Sequence, residues 1–242
     1  MDAAGVERVI IVPPSWEGDR NDLGIAAARA HPGRFAVMGR FDPEAPNARD
    51  QLANWNAQPG MLGMRFSFHT PLLRQPLLDG KFDWVWGALE RSAVPVMVLI
   101  HHAYVEHVER VATRHPALKI VIDHLGLVNG EKDAHAFRAL ERLLALHAHA
   151  NVAVKASALP CYTAEPFPYR GLHPYLRRVY DAFGPRRMFW GTDLSRLPCT
   201  YREGITMFTE HIPWLGPEEK EWILGRGVCE WLGWKAAFPA ST

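Results

Sequence analysis

The strongest constraint on the fold of this chain is a repeat. Short apolar runs recur about every 25–35 residues, close to the ~30-residue length of a strand with its crossover helix. They are RVIIVPP (8–14), RFAVMGRF (34–41), GMRFSF (63–68), VPVMVLI (94–100), LKIVID (118–123), NVAVKAS (151–157) and RMFWGTD (187–193). Stretches with helical periodicity lie between most of them, among them VEHVERVATRHP and FRALERLLALHAHA. Strands that are apolar on both faces and alternate with helices indicate a parallel sheet covered by helices. Several joints share one design, in which a helix is stopped by proline before the next strand: ARAHPGRFAVMGRFD, ATRHPALKIVIDHLG and YDAFGPRRMFWGTD. His31 and His115 belong to these stops and read as surface residues at helix C-termini, where a cation is mildly favoured.

Seven such units point to a (β/α)8 barrel of the TIM type, which needs eight. The prefix MDAAGVE reads as the last turn of a helix closed by Gly5, so the expectation is a single domain over 1–242 with about seven βα units and the N-terminal strand missing. An open, doubly wound sheet is the alternative, but no G-x-G-x-x-G follows the first strand and there is no P-loop. The composition, 48% hydrophobic and 22% charged, is that of a soluble globular chain. A net charge of +1 offers no general attraction to nucleic acid or an anionic membrane. The apolar runs fall well short of the roughly 20 residues of a membrane helix, and the first residues do not resemble a signal peptide. Cys161, Cys199 and Cys229 are scattered without a CxxC pair, which fits a reducing, cytoplasmic setting. A homodimer is the default assembly.

In a barrel the active site gathers at the C-terminal strand ends. There the sequence places Asp42; Arg65 and His69; His101 and His102; Asp123 and His124; Lys155 and Ser157; and Asp193 with Arg196. Each has a structural reading. A lone histidine after a strand is commonly a hydrogen-bonded framework residue, Asp123 reads first as a brace, Arg65 suits an internal salt bridge, and Lys155 suits a carboxylate partner inside the barrel. His102 has the opposite parity to His101 and should face away from the mouth. Together they carry more: two imidazoles and a carboxylate (His101, His124 and Asp193) would converge on one mouth and could ligate zinc or a similar divalent ion. Asp193, closing the apolar run MFWGTD, could be ligand, general base or both. Arg65 and Arg196 would suit a substrate carboxylate.

The sequence resembles the amidohydrolase superfamily, in particular the amidohydrolase-related branch of aminocarboxymuconate-semialdehyde decarboxylase, 2-pyrone-4,6-dicarboxylate lactonase and sugar lactonases. HPALKIVIDHLG (115–126) is similar to the branch's sixth-strand DH-x-G signature and FGPRRMFWGTDLSRLP (183–198) to its eighth-strand G-[ST]-D. NVAVKASAL resembles the seventh strand and EEKEWILGRGVCEWLGW (218–234) the closing helices. The resemblance implies a catalytic proton-transfer role for Asp193, a site role for His124, a metal-ligand role for His101 in metal-dependent members, and a substrate-carboxylate role for Arg65. The His-x-His of the family's first strand is absent; the first histidine here is His31, and the HAH at 147–149 falls in a predicted helix. Two of the family's metal ligands are therefore missing from this chain.

The expected activity is hydrolysis of a small, carboxylate-bearing lactone, ester or amide. In this reading Asp193 activates water, with or without a metal, His124 stabilises the oxyanion, and Arg65, Lys155 and Arg196 hold the substrate. The alternatives are a decarboxylase on the same scaffold and a non-catalytic, truncated barrel.

Overall fold

The computed structural model describes residues 1–235. Each of the seven apolar runs carries one strand, the third starting two residues before its run: β1 (Val9–Ile11), β2 (Phe35–Gly39), β3 (Met61–Ser67), β4 (Val96–Leu99), β5 (Ile120–Ile122), β6 (Val152–Ser157) and β7 (Met188–Gly191). They pair in parallel in sequence order, forming a TIM-barrel-like sheet with β1 and β7 as its edges. The helices that cover it include α1 (Asp22–Ala30), α2 (Val105–Arg114), α3 (His173–Phe183) and α4 (Tyr201–Glu210), and α5 (Gly227–Leu232) closes the described chain. His31 and His115 cap α1 and α2, and Gly5 closes a short turn over Asp2–Ala4 in the left-handed conformation, as the sequence suggested. The periodic stretch 137–150 is not one helix: it divides into a short helix, Leu140–Ala145, and a 3-10 turn, Leu146–Ala148.

Strand alternation sorts the side chains into two cores. Outward residues such as Val37, Met64, Val96, Ile120, Val154 and Met188 pack beneath the helices in the larger cluster. Inward residues Met38, Met97, Val121, Ala153 and Phe189 form a second cluster inside the sheet. Helix α5 contributes Leu232, Val228 and Trp231 to that interior cluster. Trp231 lies 6.1 Å from the Phe189 ring of β7, and Trp234 lies under the Arg8 guanidinium beside β1 at 5.8 Å. Helix α5 and the two residues after it therefore reach both sheet edges at the floor of the barrel. Lys119, at the foot of β5, donates to the Trp231 carbonyl at 3.0 Å and holds the helix there.

Candidate active site

One inward step above the floor, the interior becomes charged. Arg65 and Lys155 are the register partners of Met97 and Phe189, so they face the same interior. Asp123 follows Val121 by two residues and shares its face. It is completely buried and receives Lys155 Nζ at 2.9 Å and Arg65 Nε at 3.2 Å. Burial alone would raise the Asp123 carboxyl, but Lys155 and then Arg65 hold it well below the usual carboxylate range. This is a buried ionic brace, in which removal of one partner is far costlier than the net value of the pairing.

Immediately after Asp123 the chain turns in an unusual way. His124 and Leu125 both take left-handed dihedrals, at φ 50° and 54°, although neither is glycine. Such positions cost on the order of 1–3 kcal/mol each and persist where surrounding structure enforces them. Gly126 follows at φ 68°, where an added Cβ would meet the Ile100 carbonyl at 3.3 Å and the His102 ring at 3.2 Å. The DHLG motif is thus a tight corner that turns the His124 ring into the mouth. His102 lies behind it, buried, with Nε2 bonded to the Leu125 carbonyl at 2.9 Å.

His124 links two other strand ends. Its Nδ1 lies 2.7 Å from the Ser157 hydroxyl and its Nε2 lies 3.4 Å from Asp193 Oδ2. Burial lowers the His124 pKa to about 4, although Asp123 and Asp193 favour its charged form. The ring is therefore neutral near pH 7. With Nε2–H turned toward Asp193, Nδ1 accepts the Ser157 hydroxyl hydrogen. Gly191 of β7 passes so close that a Cβ there would stand 3.1 Å from Ser157 Cβ, so the glycine of the GTD signature leaves Ser157 undisturbed. Asp193 is itself left-handed, at φ 52°, and Arg196 Nη1 reaches its Oδ2 at 3.2 Å while Nη2 donates to Asn129 at 2.7 Å.

The structure brings Asp193, His124 and Arg196 into direct contact and joins Arg65 and Lys155 through Asp123. The His101 ring meets that of His69 edge to face, at 6.4 Å between ring centres. Among the described residues no three His, Cys, Asp or Glu side chains assemble as a metal site. The donor set does not fit a divalent cation: both His124 nitrogens face protein partners, Asp193 Oδ2 is shared by His124 and a guanidinium, and Arg65 and Lys155 add positive charge beside them.

Two contributors were not identified from the sequence. Asp42, the polar group that the sequence places at the end of the second strand, is exposed and accepts the Glu44 N–H in a turn. The inward residue there is Arg40, two positions beyond Met38, and it is buried. Its Nη1 donates to Ser67 Oγ at 3.0 Å, and Arg65 Nη1 donates to the same hydroxyl. The parity of the run RFAVMGRF would have revealed Arg40 once Met38 was assigned inward.

The amidohydrolase family model matches residues 1–226 of this chain. The chain belongs to the amidohydrolase family. This amidohydrolase is 28% identical over 250 residues to L-fucono-1,5-lactonase of Burkholderia ambifaria, spanning 93% of this chain and 80% of that enzyme. It is 28% identical over 201 residues to 4-sulfomuconolactone hydrolase of Hydrogenophaga intermedia, spanning 80% of this chain but 62% of the relative. Its fold matches a zinc-bound amidohydrolase from Burkholderia multivorans with a TM-score of 0.81 at 22% identity, covering 96% of this chain and 85% of the other. A probable 2-pyrone-4,6-dicarboxylic acid hydrolase from Acinetobacter baumannii matches with a TM-score of 0.76 at 19% identity, over 96% of this chain and 86% of that one. Among the described residues no helix is long and apolar enough to cross a membrane.

Proposed function

We propose that this amidohydrolase opens a small, carboxylate-bearing lactone by hydrolysis, with Asp193 as general base. The observation that carries the reading is the Ser157–His124–Asp193 chain at the barrel mouth. The two similar lactone-cleaving enzymes support the reaction class.

His124 and Arg196 both address Oδ2 of Asp193, so Oδ1 is the oxygen suited to receive a proton from water. The water oxygen bonds to the lactone carbonyl carbon as Asp193 takes its proton, and the carbonyl oxygen becomes an oxyanion. His124 Nε2–H contacts Asp193 at a long 3.4 Å and has the slack to turn to that oxyanion. Collapse of the tetrahedral intermediate breaks the ring C–O bond, and the proton on Asp193 passes to the leaving alkoxide. Ser157 keeps His124 in the tautomer this requires. Arg196 orients Asp193 and offers its guanidinium to an acidic substituent.

Asp193→Asn keeps the size of the side chain and removes the base. It should lower kcat for lactone opening by about 10²–10⁴-fold, the range for loss of a positioned proton-transfer group, with an unchanged melting temperature. Full turnover by this variant, followed as acid release at constant pH, would remove Asp193 from the mechanism.

A further inference from the structure

We infer that His102, buried behind the mouth, is a positioning residue that keeps His124 against Asp193 by pinning the left-handed turn on which His124 stands. The inference rests on the lactone-hydrolase reading, in which His124 meets the oxyanion, and adds to it a residue that acts only through another.

The turn needs a hold from outside. His124, Leu125 and Gly126 take left-handed dihedrals in succession, at φ 50°, 54° and 68°. Only the last is glycine, for which that region carries no steric cost. For His124 and Leu125 the right-handed conformation is the relaxed one, and a return to it would swing the His124 ring away from Ser157 and Asp193. A backbone bond from the Leu127 N–H to the His124 carbonyl, at 3.0 Å, closes the turn but leaves the Leu125 carbonyl to find its donor elsewhere. Leu125 is completely buried, so water does not supply one. His102 does, with Nε2 at 2.9 Å from that oxygen. A carbonyl only accepts, so Nε2 carries the hydrogen and the tautomer of His102 is fixed.

His102 is itself firmly placed. It is buried, and its ring lies so close to Gly126 that a Cβ there would stand 3.2 Å from the His102 Cδ2. It opens the 3-10 turn His102–Tyr104. At the other end of that turn the buried Arg74 stacks on the Tyr104 ring at 3.7 Å and donates to the Phe68 carbonyl at 3.2 Å. A line of contacts thus runs from the end of β3 through Arg74, Tyr104 and His102 to the Leu125 carbonyl. From the same turn His124 reaches Ser157 and Asp193. What separates His102 from a framework histidine is where its bond ends. It ends on the residue after His124, in the middle of the strained turn. Loss of that donor leaves a buried carbonyl unpaired, and the turn can satisfy it only by moving.

Three variants of the intact chain test the role. His102→Gln sets an amide N–H near the place of the imidazole Nε2, His102→Asn carries the same amide one carbon short of it, and His102→Leu has no donor. Lactone opening is followed as acid release, beside melting temperature. His102→Asn and His102→Leu should lower kcat by about 10²-fold, the scale of a 1 Å misplacement, with KM within about twofold of the parent. His102→Gln should recover most of that loss. The His124 ring gives a readout that needs no turnover. With isotope-labelled histidine, its ring-nitrogen signals, assigned by their loss in His124→Gln, report the bond to Ser157. They should keep their parent positions in His102→Gln and shift in the other two variants. Parent-like kcat in His102→Asn and His102→Leu, or unmoved His124 signals in them, overturns the role. So does a His102→Gln variant that fails to fold or works no better than His102→Asn. Loss of the fold in His102→Asn and His102→Leu alike would make His102 a stability residue and overturn the role as well. If the parent opens no lactone while the His124 signals follow the expected pattern, the hydrolase reading fails and the placement of His124 by His102 stands.

Discussion

The inside of this barrel has two storeys that differ by a single inward step. The floor holds Met38, Met97, Val121, Ala153 and Phe189. Two residues farther along three of the same strands stand Arg40, Asp123 and Lys155. The floor is held by nondirectional apolar packing, which is insensitive to which hydrophobic side chain supplies the volume. The upper storey is held by charges whose partners are fixed one by one, and each depends on the others. Interchangeable apolar packing and partner-specific charge are therefore assigned to adjacent layers of the same strands, and substitutions should separate them.

The largest effect should come from Asp123→Ala. It leaves Arg65 and Lys155 buried without their shared carboxylate and should lower stability by about 3–5 kcal/mol, read as the shift in urea midpoint. A loss below about 1 kcal/mol would mean that the upper storey is not organised around Asp123. Acid should act next, and progressively. In the unfolded chain His102 and His124 take up protons near pH 6.5, whereas burial holds both at about 4 in the fold. Between those values the unfolded state binds more protons, so the stability from keeping the rings neutral is complete above pH 6.5 and is lost as pH falls toward 4. Unfolding midpoints at pH 7 and pH 5 should differ in that direction, and a flat profile would show that the two rings do not titrate as buried groups. The smallest effect is expected on the floor: Met97→Leu conserves volume and should cost less than about 1.5 kcal/mol with turnover retained. A large loss of activity there would show that the two storeys are coupled.

The sequence revealed the floor more readily than the storey above it. Apolar runs such as LKIVID and NVAVKAS announce strands because their residues are buried on both faces, and every one of the seven contains a strand. Asp123, Lys155 and Arg65 were visible as charges interrupting such runs, and the structure joins them in one brace. Arg40 is masked in the sequence by Asp42 just beyond it, because a polar residue in a turn looks the same in sequence as one at a barrel mouth. Ser67 and Ser157 are small and neutral, and their importance lies in what they touch. The grouping of His101 with His124 and Asp193 followed from strand ends alone. Strand ends fix the height of a side chain in the barrel but not which neighbour its ring turns to, and His101 turns to His69.

Helix α5 carries a consequence for how the protein is made. Its Val228, Trp231 and Leu232 complete the floor with Met38, and Trp234 just beyond it packs under Arg8 beside β1. Synthesis runs from the N-terminus, so Met38 is made nearly two hundred residues before Leu232. Throughout that interval the growing sheet has no floor and its apolar interior lies open. The nascent sheet is thus at its most adhesive just before α5 is released, and crowding or chaperone supply should set its yield at that moment.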